Sequence, residues 1–96
     1  MAKLTDSQIS EGLAKLPGWN VQHGKLHREY KFADFSHAIG FMVIAAPSID
    51  KNDHHPEWAN VYDRVTVDLA THSAGGITQK DLDLAMLLEG IAKQLL

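Results

Sequence analysis

Trp58-Ala59-Asn60-Val61-Tyr62 and Val65-Thr66-Val67-Asp68-Leu69-Ala70-Thr71, joined by Asp63-Arg64, decide the fold of this chain. Aromatic and β-branched residues dominate both runs, and the spacing predicts two antiparallel strands around a tight turn. In the second run Val65, Val67 and Leu69 share one face. Thr66, Asp68 and Ala70 share the other, and the same parity puts His72 with the polar set. A strand apolar on one side only calls for helices packed on that side.

Upstream, Trp19, Val21 and His23 alternate with Asn20 and Gln22, and Leu26, Arg28, Tyr30 and Phe32 alternate with His27, Glu29 and Lys31. These runs flank Gly24-Lys25 and predict a second hairpin. Three helices complete the order. Thr5-x-x-Gln8 is a capping-box pattern followed by Ile9, Leu13 and Leu16, which predicts a helix from Asp6 to Leu16, stopped by Pro17-Gly18. Asp34 can cap a helix whose apolar face is Phe35, Ile39, Met42, Ala46 and Ile49. Pro47 removes a hydrogen bond to the Val43 carbonyl, which predicts a kink near Val43 or an early end. Asp50 to Pro56 reads as a helix terminus and loop. Thr78-x-x-Asp81 opens the last helix, with Leu84, Leu87, Leu88, Ile91 and Leu95 on one stripe and Leu82, Ala85, Met86 and Ala92 on another. Two apolar faces suggest a subunit contact. The expected fold is α+β, ordered α-β-β-α-β-β-α, a four-stranded antiparallel sheet with three helices packed on one face, in a single domain over residues 1–96.

Composition narrows the function. The chain has 96 residues and a formal charge of −3, so no basic field exists to hold a phosphate backbone, and direct nucleic-acid binding is not expected. Zero cysteines exclude disulfides, thiolate zinc sites, iron–sulfur clusters and thiol nucleophiles. Met1-Ala2-Lys3-Leu4 runs into polar residues without an apolar leader, and Phe35 to Ile49 is short of the roughly 20 apolar residues a membrane span needs. A cytoplasmic protein is the expectation.

Histidine is the unusual count, at 6. His54-His55-Pro56 lies in the loop after the second helix, and His72 ends the last strand. Imidazole titrates near neutral pH and can both give and take protons, so the cluster suits acid–base chemistry. Each residue also has a plainer reading. His72 alone can be a surface residue, Asp81 can simply cap its helix, and Trp58 and Tyr62 can be core. His23, His27 and His37 have no partner pattern and read as surface residues. Zinc held by the three imidazoles with Asp50, Asp53 or Glu57 is the first rival, but no His-Glu-x-x-His or other helical zinc spacing occurs. A Gly-x-Ser-x-Gly elbow and a glycine-rich phosphate loop are absent too.

The string Asp50-x-x-x-His54-His55-Pro56, with Tyr62, His72 and Asp81 at their spacings, resembles the signature of the pterin-4a-carbinolamine dehydratases. His54-His55-Pro56-Glu57-Trp58, Asn60-Val61-Tyr62, Thr71-His72 and Gly76-Ile77-Thr78 carry the likeness almost continuously from Asp50 to Ala85. The resemblance implies an enzyme removing water from 4a-hydroxytetrahydropterin, with pterin as substrate and no cofactor or metal. It places the catalytic histidines at His54, His55 and His72, and substrate contacts at Asp53, His54, His55, Trp58, Ala70, Thr71, His72 and Ser73. Asp50 and Asp81 would support them, Asp81 either orienting a histidine or capping its helix.

Three positions depart from that pattern. Asp50 stands where many members carry Glu, Ala59 where an aromatic is common, and Pro47 interrupts a usually unbroken helix. The third helix and the sheet edge are the expected surfaces for a homodimer or homotetramer. Some relatives in the family instead act as dimerisation partners of a transcription factor, and the same helical face would serve that alternative role.

Overall fold

Side-chain caps start all three helices. Thr5 and Gln8 form a reciprocal capping box at α1 (Asp6–Leu13), Asp34 accepts from the His37 amide at 2.8 Å to cap α2 (Phe35–Asn52), and Thr78 with Asp81 caps α3 (Gln79–Leu95). The structure, a computed structural model, describes residues 2–96. α1 ends at Leu13, short of the expected Leu16. Tighter i→i+3 bonds from Lys15 to Gly12 and from Leu16 to Leu13 then swing Leu16 into the core. Gly18 has φ +90°, and the Arg28 guanidinium carbon would lie 2.8 Å from a Cβ there, so a side chain would meet both strain and a clash.

The strands are β1 (Asn20–Gln22), β2 (Lys25–Lys31), β3 (Glu57–Val61) and β4 (Arg64–Leu69), all antiparallel in the order β1-β2-β4-β3. With the three helices they make the expected α-β-β-α-β-β-α architecture. Both turns fall one residue earlier than expected. His23-Gly24 closes the first hairpin, with positive φ at both positions as a type I′ turn requires, and Lys25 joins β2. Tyr62-Asp63 closes the second. Tyr62 has φ 52° and is 66% exposed, so it leaves the strand and is not a core residue, whereas Trp58 is half-buried edge-on against Phe41. Leu26, Tyr30, Val65, Val67 and Leu69 point to the helices and are buried. His27, Glu29, Thr66 and Asp68 lie on the opposite face.

α2 differs from expectation in two ways. It continues unbroken through Pro47 to Asn52, because the lost bond falls beside the exposed Val43, where water can reach the free carbonyl. Its buried face is Ala38, Phe41, Ala45 and Ile49, one step round from the stripe read in the sequence. The helix is apolar nearly all round, so size decided. Two alanines bring it close to the sheet while Phe41 fills the space among Tyr30, Phe32 and Trp58. Phe35, Ile39, Val43 and Ile44 are left exposed.

Both apolar stripes of α3 are used within the chain. Leu84 and Leu88 are in the core cluster, and Leu82 packs so closely on α1 that a Cβ at Gly12 would lie 2.6 Å from it. Packing within the chain thus accounts for both stripes of α3: of these residues only Met86 is markedly exposed, whereas α2 leaves a broader apolar face exposed. α3 also carries a buried carboxylate the sequence did not single out. Glu89 accepts from Trp19 Nε1 at 3.0 Å and from the Tyr30 hydroxyl at 2.6 Å, which ties the first hairpin to the helix.

Candidate active site

α2 ends where Asp53 adopts the left-handed conformation (φ 48°, ψ 44°), and the His54 amide reaches back to the Ile49 carbonyl. This closure turns the chain sharply. Pro56 then stiffens the entry to β3, so His54 and His55 leave the loop in different directions. β4 continues past the start of β3, since its Asp68 pairs with Glu57, the first β3 residue. Leu69, Ala70 and Thr71 thus run alongside the histidine loop. A bridge between Thr71 and Gly76 then closes the turn that carries His72 in a short 3₁₀ segment, His72–Ala74.

Each of the three histidines meets its own carboxylate. His54 Nε2 is 2.6 Å from Asp81 Oδ1, with the His54 side chain 14% exposed and that of Asp81 fully buried. His55 Nε2 is 3.0 Å from Asp50 Oδ1, and both are open to solvent. His72 Nε2 is 3.8 Å from Glu57 Oε2 on a side chain that is 90% exposed. Exposed pairs of this kind are worth little, so the His54–Asp81 pair is the one whose geometry the fold enforces.

Asp81 both caps its helix and contacts a histidine. Its Oδ2 accepts from the Thr78 amide at 2.8 Å, the capping bond, and from the Thr71 hydroxyl at 2.9 Å, while Oδ1 faces His54. Thr71 is committed internally. Its amide donates to the Gly76 carbonyl and its carbonyl accepts from Gly76 and Ala74. Every polar group of Thr71, expected as a substrate contact, is paired within the chain. Ala70, His72 and Ser73 stay accessible beside it.

Glu57 is the residue the sequence undervalued. Lys25 Nζ lies 2.7 Å from Glu57 Oε1, and this hydrogen bond, with smaller charge contributions from Lys25 and His72, holds the carboxyl below the ordinary carboxylate range. His27 is also partnered, Nδ1 to Asp68 Oδ1 at 2.8 Å, and His37 pairs with Asp34, which corrects the reading of both as partnerless. Only the register of β2 on β4, which sets His27 opposite Asp68, reveals the first of these pairs.

Two clefts border the site. One of about 280 Å³ is lined by Asn52, His54, Lys80, Asp83, Leu84 and Leu87, where the end of α2 meets the start of α3. The other, about 220 Å³, is lined by Glu57, Trp58, Ala59, Thr66 and Asp68 on the open sheet. His54 lines the first and Trp58 the second; neither His55 nor His72 lines either. No one cleft is lined by all three histidines: His54 stands on the first, while His72 is exposed near Glu57. Among the described residues, no three His, Asp or Glu side chains come together as a metal-ligand set. Nor is any helix long and apolar enough to cross a membrane.

Known proteins match along almost the whole chain. The sequence pattern of the family described as pterin 4 alpha carbinolamine dehydratase matches residues 2–91. A protein of Solibacter usitatus named as a pterin-4-alpha-carbinolamine dehydratase is 58% identical over 90 residues, 94% of this chain and 95% of the relative. One of the same name from Rhodopseudomonas palustris is 47% identical over 95 residues, 97% of this chain and 94% of its own. The crystal structure of a transcriptional coactivator/pterin dehydratase from Brucella melitensis superposes with a TM-score of 0.89 at 48% identity, covering 94% of this chain and 98% of that one. With the match covering almost the whole chain and the architecture in agreement, the chain belongs to the pterin-4a-carbinolamine dehydratase family.

Proposed function

We propose that this protein dehydrates 4a-hydroxytetrahydropterin to quinonoid dihydropterin by histidine acid–base catalysis, without a cofactor or metal. One imidazolium gives a proton to the C4a hydroxyl, which departs as water, and a neutral imidazole takes the N5 proton as the C4a–N5 double bond forms. The His54–Asp81 pair carries this reading: a nearly buried imidazole is held by a buried carboxylate on the rim of a cleft, while His55 and His72 present exposed imidazoles. General acid–base assistance is typically worth about 10²–10⁴-fold. Asp53, His55, Trp58, Ala70, His72 and Ser73 are proposed to border the pterin, with Asp50 and Asp81 orienting His55 and His54.

Chemically generated carbinolamine, followed by its ultraviolet absorbance with and without the protein, tests this. Acceleration that survives prolonged chelation is expected, and no acceleration at micromolar protein would overturn it.

Self-association is proposed through α2, where Phe35, Ile39, Val43 and Ile44 are exposed, and through the β3 edge, where Val61 and Tyr62 are exposed. The same face favours a second reading as a partner-binding protein, because the Brucella neighbour is described as a transcriptional coactivator as well as a dehydratase.

A further inference from the structure

Thr71, Thr78 and Asp81 form a buried chain with one consistent direction. The Lys80 amide donates to Thr78 Oγ1 at 3.3 Å, and the hydroxyls of Thr78 and Thr71 are 2.8 Å apart. Thr71 Oγ1 donates to Asp81 Oδ2 at 2.9 Å. Since the Thr71 proton goes to Asp81, Thr71 must accept from Thr78. Asp81 Oδ2 is thereby saturated by the Thr71 hydroxyl and the Thr78 amide, and Oδ1 is left as the acceptor for His54 Nε2. An imidazole that donates through Nε2 to a carboxylate presents Nδ1 as its exchangeable nitrogen.

We propose that Thr71 is a positioning residue for His54: through Asp81, its hydroxyl fixes the Nε2–H tautomer and the ring orientation, so that Nδ1 transfers the proton. The proposal rests on the dehydratase reading for its kinetic consequence only. Thr71 is 7% exposed and has no group free for a ligand, so it acts without touching substrate. Thr71 also immediately precedes the His72 turn. One buried carboxylate therefore ties together the two segments that bear the histidines. The side chains of Lys80 and Asp83, the charged groups that share the cleft with His54, are exposed and make none of these bonds.

Nitrogen-15 NMR of uniformly labelled protein, without substrate, reads the tautomer directly and is independent of the enzymatic assignment. His54 is expected to carry its proton on Nε2 when neutral, and a proton on Nδ1 would overturn the proposal, whatever happens to the variants. Thr71→Val should speed exchange of the Nε2 proton with water about tenfold and lower kcat about tenfold with KM little changed. Thr71→Ser should restore both. Wild-type exchange and kcat in Thr71→Val, or a raised KM with unchanged kcat, would overturn it. If wild-type protein does not dehydrate the carbinolamine, the dehydratase reading fails while the exchange measurement still decides the role of Thr71.

Discussion

His54 Nε2 and Asp81 Oδ1 lie 2.6 Å apart although 27 positions separate them in sequence, and the Asp81 side chain has no exposed surface. A buried carboxylate is costly unless its oxygens are satisfied, and here two donors besides the imidazole meet it. Asp81→Ala should therefore lower stability by about 1–3 kcal/mol, because the Thr71 hydroxyl and the Thr78 amide lose their buried acceptor. It should also lower kcat about 10–100-fold by freeing the His54 ring. Asp50→Ala, at a carboxylate 80% exposed, should stay within about 0.5 kcal/mol of wild type in urea unfolding.

Tyr30 makes the alkaline side of the stability curve testable. Burial, then the hydrogen bond to the Glu89 carboxylate, pushes its phenol well above the ordinary value of 10.0. The folded state thus keeps a proton that the unfolded chain loses. The resulting stability is present in full below pH 10.0 and declines as pH rises above it. Tyr30→Phe should remove that alkaline decline while costing about 1–3 kcal/mol at neutral pH, since Glu89 loses one of its two donors. Thermal melts from pH 8 to 11 would show it. An unchanged decline would refute the cause assigned.

Much of this was legible because local signals and tertiary structure agreed. Thr78-x-x-Asp81 announced a capping box, and Val65, Val67 and Leu69 announced a buried face; both are present. The second role of Asp81 was not legible, since it requires a loop 27 residues away to arrive at its free oxygen. The buried face of α2 was misread because apolar residues surround that helix, leaving periodicity without contrast, and small alanines chose the face. The two stripes of α3 looked like a subunit surface until α1 was seen to cover one of them.

The exposed stripe of α2 carries its own expectation. Val43→Asp places a charge at a residue 64% exposed and should weaken any self-association in sedimentation without altering the fold. Met86→Asp on α3, 51% exposed, should leave it unchanged. The reverse result would return the contact to α3.

Gly90 sits inside α3 with no atom within 4 Å of where a Cβ would be. Gly90→Ala should stabilise the protein by about 0.5–1 kcal/mol, read as a raised midpoint in urea with an unchanged slope. A loss of stability would show that the space is filled in solution.

The central claim is that His54, held by Asp81, moves a proton of the substrate. It is tested most directly by the rate at which His54→Ala dehydrates freshly generated 4a-hydroxytetrahydropterin, with circular dichroism confirming the fold. The rate should fall about 10²–10⁴-fold. A rate within about threefold of wild type would mean that other groups move the protons and that the buried pair only builds the scaffold.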